Sequence, residues 1–239
     1  MNVNEFSDAF DTVVNSYRRF KDFDKMEMLD SIEFSEYEKS LYLTQSQDEI
    51  VVGLYTGKNV YGEPFEDTEE LRRYLEPLVK SAVCSRSTAQ HIHVKASSVF
   101  FILPSDLWFI VYEQARIIDS ALGCYDATET AVRPVTHDEY NRIKKNPFRG
   151  PTKYRVLRLD AGDGLVELVS DYAVQGYIIR YISEPSPIIL EDITGEEISI
   201  KGKTTVTECA LNPVLHDTIL KHAVQLALAS KGIQVNNNN

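Results

Sequence analysis

The spacing of apolar residues changes near residue 97, and this change constrains the fold more than any other feature of the sequence. Before it, apolar residues recur every three or four positions, the period of an α-helix. After it, the runs SSVFFIL and LWFIVYEQARII are almost unbroken, and turn residues separate the runs. Helices and strands in separate stretches favour an α+β fold over the alternating order of a parallel nucleotide-binding sheet.

Two helices are predicted in the first 60 residues. Phe6, Phe10 and Val14 lie on one stripe of a helix over about residues 4–21. A capping box of Ser35 and Glu38 then starts a helix that continues to Gly57. Its middle, TQSQDE, is polar on every side, so we expect this helix to project along a surface or to break into two.

Two more helices are predicted from their first residues. Asp67 and Glu70 have the spacing of a capping box, which would open a helix that runs through Leu78 and Val79. Near the end of the chain, Asn212 is followed by Pro213, the order of a cap and a first helical residue. The first third of the chain is therefore expected to be helical, and a closing helix is expected to precede residue 232.

The stretch between these helical regions predicts a mainly antiparallel sheet. We expect SSVFFIL and LWFIVYEQARII to be strands buried on both faces and joined by a Pro-Ser-Asp turn. Ala-Gly-Asp-Gly predicts a hairpin between YRVLRLD and LVELVSD, and GYIIRYIS, PIILEDI and EEISIK are further predicted strands. Thr136 and Glu139 cap a short helix among them. The predicted regions are an acidic helical region (1–95), a sheet region with the closing helix (96–232) and a disordered tail (233–239).

Composition excludes several classes of protein. The chain has 239 residues, of which 43% are hydrophobic and 26% charged, so it is neither disordered nor collagen-like. No apolar run approaches the length of about 20 residues that crosses a bilayer, so no membrane partner is expected. The start lacks the pattern of a secretory leader, which predicts synthesis in a reducing cytoplasm. Three distant cysteines, Cys84, Cys124 and Cys209, are expected to be free thiols.

Charge is distributed unevenly along the chain. Residues 1–80 contain 18 acidic and 9 basic residues, and residues 142–158 contain seven basic residues and no acidic one. With a net charge of −11, the protein should repel a phosphate backbone, so sequence-specific binding of DNA is not expected. An acidic protein surface is the better partner for the basic stretch.

The sequence offers few patterns that are typical of catalytic or metal-binding sites. Gly202-Lys203-Thr204 resembles the end of a phosphate-binding loop but lacks its first glycine and the following helix, so we expect a turn. His91 and His93 share a face of an extended segment, yet no third ligand has a convincing spacing. His216 and Asp217 are expected to be polar residues of a helix start. No catalytic residue, metal or cofactor is assigned, and the protein is predicted not to be an enzyme.

Asn146-Pro147-Phe148-Arg149-Gly150-Pro151 is the most distinctive segment. Two prolines stiffen it, which lowers the entropy that its side chains lose when they dock against another molecule. In one interpretation it is a connector whose Phe148 fills the protein's own core. In the other, Phe148 and Arg149 anchor a protein interface, because aromatic residues and arginine dominate such contacts.

The order of several phrases resembles that of structural proteins of crAss-like bacteriophages. These phrases are EYEKSLYLTQSQDEIVVGLYTG, FFILPSDLWFIVYE, AVRPVTHDEYNRIKKNPFRGPTKYRVLRLD, YIIRYISEPSPIIL and NPVLHDTILKHAVQLALAS. The resemblance covers about residues 30–232. It implies a virion component at the tail or portal vertex, a ring-forming head-tail connector or tail-barrel protein around the DNA channel. The partners implied are further copies of the chain, the portal and neighbouring tail ring proteins, with packaged DNA passing nearby.

The sequence and the resemblance together predict a contact between neighbouring copies. The acidic helical third of one copy would meet the basic segment of the next, in a head-to-tail arrangement that can close into a ring. The candidate interface residues are Arg142, Lys144, Lys145, Pro147, Phe148 and Arg149. Two other classes stay open: a monomeric adaptor or regulatory module that binds one partner, and a soluble hydrolase or nucleotide-modifying enzyme with an unrecognised site.

Overall fold

A computed structural model describes residues 1–21, 32–58, 64–65, 67–119, 124–195 and 197–233. The chain forms two compact units. One comprises Met1–Leu78 with Pro185–Asn239, and the other comprises Val79–Glu184. The domain limits expected from the sequence stay a prediction. Except for residue 233, the predicted disordered tail lies outside the described residues.

Helices dominate the described part of the first unit. They are α1 (Val3–Lys21), α2 (Glu36–Thr56), α3 (Glu69–Leu75) and α5 (His216–Ser230), while α4 (His137–Ile143) belongs to the second unit. Short 3-10 turns occupy Glu76–Leu78 and Pro213–Leu215. The apolar stripe of α1 is buried as expected, with Phe6, Phe10 and Val14 almost inaccessible to solvent. Among the described helices, none has both the length and the apolar character needed to cross a bilayer.

The helix starts follow local hydrogen bonding. Ser35 and Glu38 form the predicted reciprocal capping box of α2, and the predicted cap Asn212 accepts a hydrogen bond from the Val214 amide. The predicted Asp67 cap is wrong, because the hydroxyl of Thr68 accepts from the Leu71 amide and α3 therefore begins one residue later.

The prediction that the polar middle of α2 projects along a surface or breaks is also wrong. The helix is continuous, and Ser40, Thr44, Ser46 and Gln47 are buried. Their side chains bond to the backbone of neighbouring segments of the same unit, so a polar side chain can be buried without losing its hydrogen bonds.

The second unit is a closed barrel built from strands of the described residues. These are β1 (Val79–Arg86), β2 (Val99–Ile102), β3 (Leu107–Asp119), β4 (Cys124–Pro134), β5 (Arg155–Gly162), β6 (Leu165–Val169) and β7 (Ala173–Ser183). Their order around the barrel is β1-β2-β6-β5-β4-β3-β7. Every neighbouring pair is antiparallel except β4 and β5, which are parallel and joined through α4. The structure thus confirms an α+β fold with a mainly antiparallel core.

The outcome for individual strands is mixed. The β5–β6 hairpin is confirmed, with Asp163 and Gly164 in the left-handed region that its tight turn requires. β2 and β3 are strands but not partners. The consecutive residues Val99, Phe100 and Phe101 of β2 are buried, as expected for a strand covered on both faces, whereas much of β3 is half-buried, so that expectation is wrong for β3. PIILEDI and EEISIK contribute only isolated bridges. β1 occupies residues predicted to be helical at their start, and β4 was not predicted.

The interior of the barrel is mainly apolar. Alternate residues of the strands fill it, among them Phe101, Ile117, Leu168 and Tyr177. On the outside, α4 contributes Tyr140 and Ile143 to a separate cluster with residues of β5 and β6. The packing of α4 against these two strands fixes the start of the chain segment that connects it to β5.

Candidate subunit interface

The segment after α4 carries the predicted interface residues, and we call residues 142–155 the basic arm. It begins in the last turn of α4 and ends where β5 begins, so both of its ends are attached to the barrel. Because β4 and β5 are parallel, the connection must cross from one end of the sheet to the other, and the arm is the final part of that crossover.

Hydrogen bonds from Asn146 hold the middle of the arm. The side-chain oxygen of Asn146 accepts hydrogen bonds from the amides of Phe148, at 2.9 Å, and Arg149, at 3.3 Å. The Asn146 carbonyl accepts from the Gly150 amide at 2.7 Å. A side chain that bonds to the backbone two or three residues ahead is typical of tight turns, so the arm is folded on itself rather than extended.

Arg155 clamps the arm from the strand side. Its guanidinium group donates to the Phe148 carbonyl at 2.6 Å and to the Gly150 carbonyl at 2.9 Å. Gly150 is buried, and a Cβ atom there would lie 2.8 Å from the Asn146 carbonyl oxygen, so this close approach requires glycine. Together with Pro147 and Pro151, these contacts keep the arm in one conformation.

The arm presents two aromatic side chains to solvent. Phe148 is 85% exposed and Tyr154 is 71% exposed. The interpretation of Phe148 as a plug of the protein's own core is therefore wrong, because the Asn146 turn directs it away from the barrel. An aromatic side chain on a stiff support is typical of an interface anchor, since little entropy is lost when it docks.

Four cations of the arm are also exposed. The structure places Arg142 in α4, Lys144 at its end, and Lys145 and Arg149 in the turn that follows. The Lys144 amine lies 3.1 Å from the side-chain oxygen of Asn141. Within the described residues, these four cations form no salt bridge with a carboxylate, so their charge is available to an outside partner. All six predicted interface residues thus lie in one exposed stretch.

The histidine pair has a different setting from a metal site. His91 lies 2.8 Å from the hydroxyl of Ser87, and His93 lies 2.9 Å from that of Ser98. Both rings contact Phe100, with centroid distances of 4.5 and 5.0 Å. In the part of the chain that the structure describes, no group of three or more His, Cys, Asp or Glu side chains could hold a metal ion. The pair covers an outward-facing aromatic of β2.

The structure also describes the other residues that were considered as candidate sites in the sequence. Lys201 and Gly202 form a tight turn between the bridged residues Ile200 and Lys203, which confirms a turn instead of a phosphate loop. Burial raises the pKa of the Cys84 thiol to about 11, with the Glu113 charge as a second cause, so this cysteine is a poor nucleophile. His216 is buried, with a ring nitrogen 3.2 Å from the Leu211 carbonyl oxygen.

Two features of the arm were not predicted from the sequence. Tyr154 was not singled out, although an aromatic residue inside a basic run was a signal for it. The clamp by Arg155 leaves no local pattern, because its partners are backbone carbonyls five and seven residues away that only the folded turn brings within reach.

Comparisons with known proteins identify the family of the chain. The chain matches the family described as phage tail ring protein 3/4 over residues 1–239. It is 47% identical over 232 residues to Ring protein 3 of Bacteroides phage crAss001, covering 97% of this chain and 96% of that protein. Ring protein 4/5 of the same phage is 33% identical over 240 residues, covering 96% and 93%. The chain therefore belongs to the phage tail ring protein 3/4 family.

Proposed function

We propose that this protein is a non-enzymatic ring component of the virion, located at the tail or portal vertex. Copies of the chain associate around the DNA channel and join the portal to neighbouring tail ring proteins. Family membership supports a ring component. The observation that carries the proposal for this chain is the stiff basic arm, which exposes Phe148 beside four cations.

A head-to-tail contact accounts for the division of charge between the arm and the first unit. The arm contains no acidic residue, whereas exposed carboxylates recur in the first unit, among them Glu49 of α2 and Glu69 and Glu70 of α3. Opposite charges on different parts of one chain attract the next copy through unlike surfaces instead of pairing like with like. Such a heterologous contact closes into a ring when its rotation permits.

The excess of negative charge also suits a channel for DNA. A wall with net negative charge repels the phosphate backbone, so the DNA slides without adhering. In this proposal the assembled ring binds duplex DNA weakly. Tight binding that weakens steeply with salt would contradict this part of the proposal.

Electron microscopy of negatively stained protein tests the ring directly. The purified chain is imaged alone and after mixing with the portal protein of the same phage. Rings, or portals that carry an added layer, are the expected result. Single particles under both conditions would overturn the proposal, and a one-to-one complex with the portal would favour the monomeric adaptor, which the same arm would also serve.

A further inference from the structure

A groove in the first unit has the shape to receive an apolar anchor. It has a volume of about 510 Å³ and lies between α2 and the turn at residues 199–201. One wall is a helical stripe, which comprises Glu38, Leu41, Tyr42, Gln45, Asp48 and Glu49. These residues follow the spacing of three and four that places side chains on one face of a helix. Ile200 of the opposite turn is buried beneath the groove wall.

The centre of the groove is apolar and open. Leu41 leaves 39% of its surface exposed, whereas Leu43 and Leu54 of the same helix are buried. Tyr42 also lines the groove, and its hydroxyl donates to Ser230. An exposed leucine and an aromatic ring in one concave site are typical of a surface that binds an apolar side chain.

The rim of the groove is negative. Three carboxylates line it, those of Glu38, Asp48 and Glu49, against one lining cation, Lys201, which lies 2.7 Å from Asp48. Glu49 accepts a hydrogen bond from Gln45 at 2.9 Å, and its carboxylate lies 3.4 Å from a ring nitrogen of His222. With three carboxylates and one lysine, the lining keeps an excess of negative charge.

The basic arm is opposite in sign to this rim. Its four exposed cations, Arg142, Lys144, Lys145 and Arg149, surround Phe148, and the arm contains no acidic residue. The arm and the groove are therefore complementary in charge. Each also has an apolar side chain with charged residues around it, so the apolar parts can meet while the opposite charges face each other.

We propose that the groove on α2 receives Phe148 from the basic arm of a second copy of the chain. This inference rests on the proposed ring, and it assigns the two surfaces that meet in each contact. Phe148 fills the apolar centre beside Leu41, and the arm's cations face the carboxylates of the rim. Because arm and groove are different surfaces, every copy offers one of each, which is the requirement for a chain of contacts that closes.

Two variants separate the two sides of the contact. In the arm variant, Phe148→Ala and Arg149→Glu remove the anchor and reverse one charge. In the groove variant, Leu41→Arg places a cation at the apolar centre. Each is expected to weaken self-association at least about tenfold and to abolish rings, while circular dichroism and thermal unfolding match the wild type. Val214→Arg is the matched control, because Val214 is a 65% exposed apolar residue of the same unit outside the groove.

Mixing the two variants gives the decisive result. The groove variant retains its arm and the arm variant retains its groove, so each mixed pair has one competent contact and cannot extend. We expect a complex of twice the chain mass, 27.2 kDa per copy, and nothing larger in analytical ultracentrifugation. Combining Arg149→Glu with Glu49→Arg in one chain should restore part of the assembly.

The outcomes distinguish this inference from the proposed function. If the wild type forms rings and the groove variant does too, the groove assignment is overturned while the ring stands. The same conclusion follows if the groove variant loses only its binding to the portal, which would then be the occupant. If the wild type forms no rings alone or on the portal, both proposals fall.

Discussion

At the scale of single residues, the barrel is unusual in burying a charged pair. Arg158 donates to Glu113 at 2.8 Å, and the hydroxyl of Tyr177 donates to the other carboxylate oxygen at 2.6 Å. The side chains of Arg158 and Glu113 are only 11% and 9% exposed. Both are on strands, at positions that alternate with outward-facing residues, so they share the interior with the apolar core.

Removing one member of this pair should be costly. We expect Arg158→Leu to lower the free energy of unfolding by about 3 kcal/mol, because it leaves the Glu113 carboxylate buried without its cation. Tyr177→Phe is the milder comparison, since it deletes one charge-assisted hydrogen bond worth about 1.5–3 kcal/mol and keeps the ring. Urea unfolding of the purified chain measures both. Equal stability of Arg158→Leu and the wild type would contradict a structural role for the pair.

Glu113 should also make stability depend on pH. Burial raises the pKa of its carboxyl above the ordinary 4.5, although Tyr177 and Arg158 offset part of the effect. The folded state therefore binds this proton more tightly than the unfolded state, so the stabilisation is present at low pH and is lost as pH rises from 4.5 through the raised pKa. The Glu113→Gln variant should lose this dependence of the unfolding midpoint on pH, whereas a Glu76→Gln variant, changed at an exposed residue, should retain it. If the unfolding midpoint of Glu113→Gln depends on pH as that of the wild type does, Glu113 is not the cause of the pH dependence.

At the scale of elements, polar side chains of α2 form hydrogen bonds with the backbone of residues 188–190, in the way that a neighbouring strand would. Thr44 donates to the Ile188 carbonyl and accepts from the Ile188 amide, and Ser40 accepts from the Leu190 amide. The intervening residue, Ile189, bonds instead to Thr207. Alternate backbone groups of an extended segment point in opposite directions, so residues 188–190 are satisfied by a bridge on one side and by helix side chains on the other.

Thr44→Val tests this element. Valine has nearly the same shape but leaves the buried amide and carbonyl of Ile188 without Thr44, which should cost about 2–3 kcal/mol of unfolding free energy. Thr56→Val is the control in the same helix, because the exposed Thr56 hydroxyl bonds to the Val52 carbonyl of its own helix, four residues back. The control should change stability by less than about 0.5 kcal/mol. A loss of the same size in both variants would show that helix propensity, not the Ile188 contact, decides the effect.

Helix caps and turns, which depend on residues close together in the sequence, were predicted well. Contacts between residues far apart in the sequence were not. The caps at Ser35, Thr136 and Asn212 and the turn at Asp163 depend on neighbours along the chain. The burial of the polar side chains of α2 depends on residues 139 to 173 positions away, which periodicity does not encode. PIILEDI has the composition of a strand, yet several of its backbone partners are side chains of a helix, so composition alone predicted the wrong element.

At the scale of the whole molecule, charge placement is the informative feature of the sequence. The basic run from 142 to 158 is evident from the residues alone, and all six interface candidates within it are exposed. Closure of the sheet into a barrel was not predicted, because it depends on β1 and β4. These two strands contain many polar and charged residues, so their sequences lack the apolar runs from which the other strands were predicted. The groove leaves no signal in the sequence, since one wall comes from residues 38–49 and the other from residues 199–201.

Reversing the charge of the arm should weaken assembly. We expect replacement of Arg142, Lys144, Lys145 and Arg149 by Glu to reduce self-association at least about tenfold, with partial recovery at high salt because screening reduces the new repulsion. The control reverses four exposed cations outside the arm, Lys58, Arg86, Arg180 and Lys221. Sedimentation velocity compares the two. Normal assembly of the arm variant, or equal loss in the control, would count against an arm-specific contact.

Zero-length cross-linking of a mixed-isotope assembly is the most direct test of the contact between copies. Equal amounts of ¹⁴N- and ¹⁵N-labelled chain are assembled, alone or on the portal, and lysines are coupled to nearby carboxylates before mass spectrometry. Links from Lys144 or Lys145 to Glu38, Asp48 or Glu49 are expected, and about half of them should join chains of different isotope. Assembled rings in which the arm lysines link only within one chain, or only to another protein, would contradict the proposed contact.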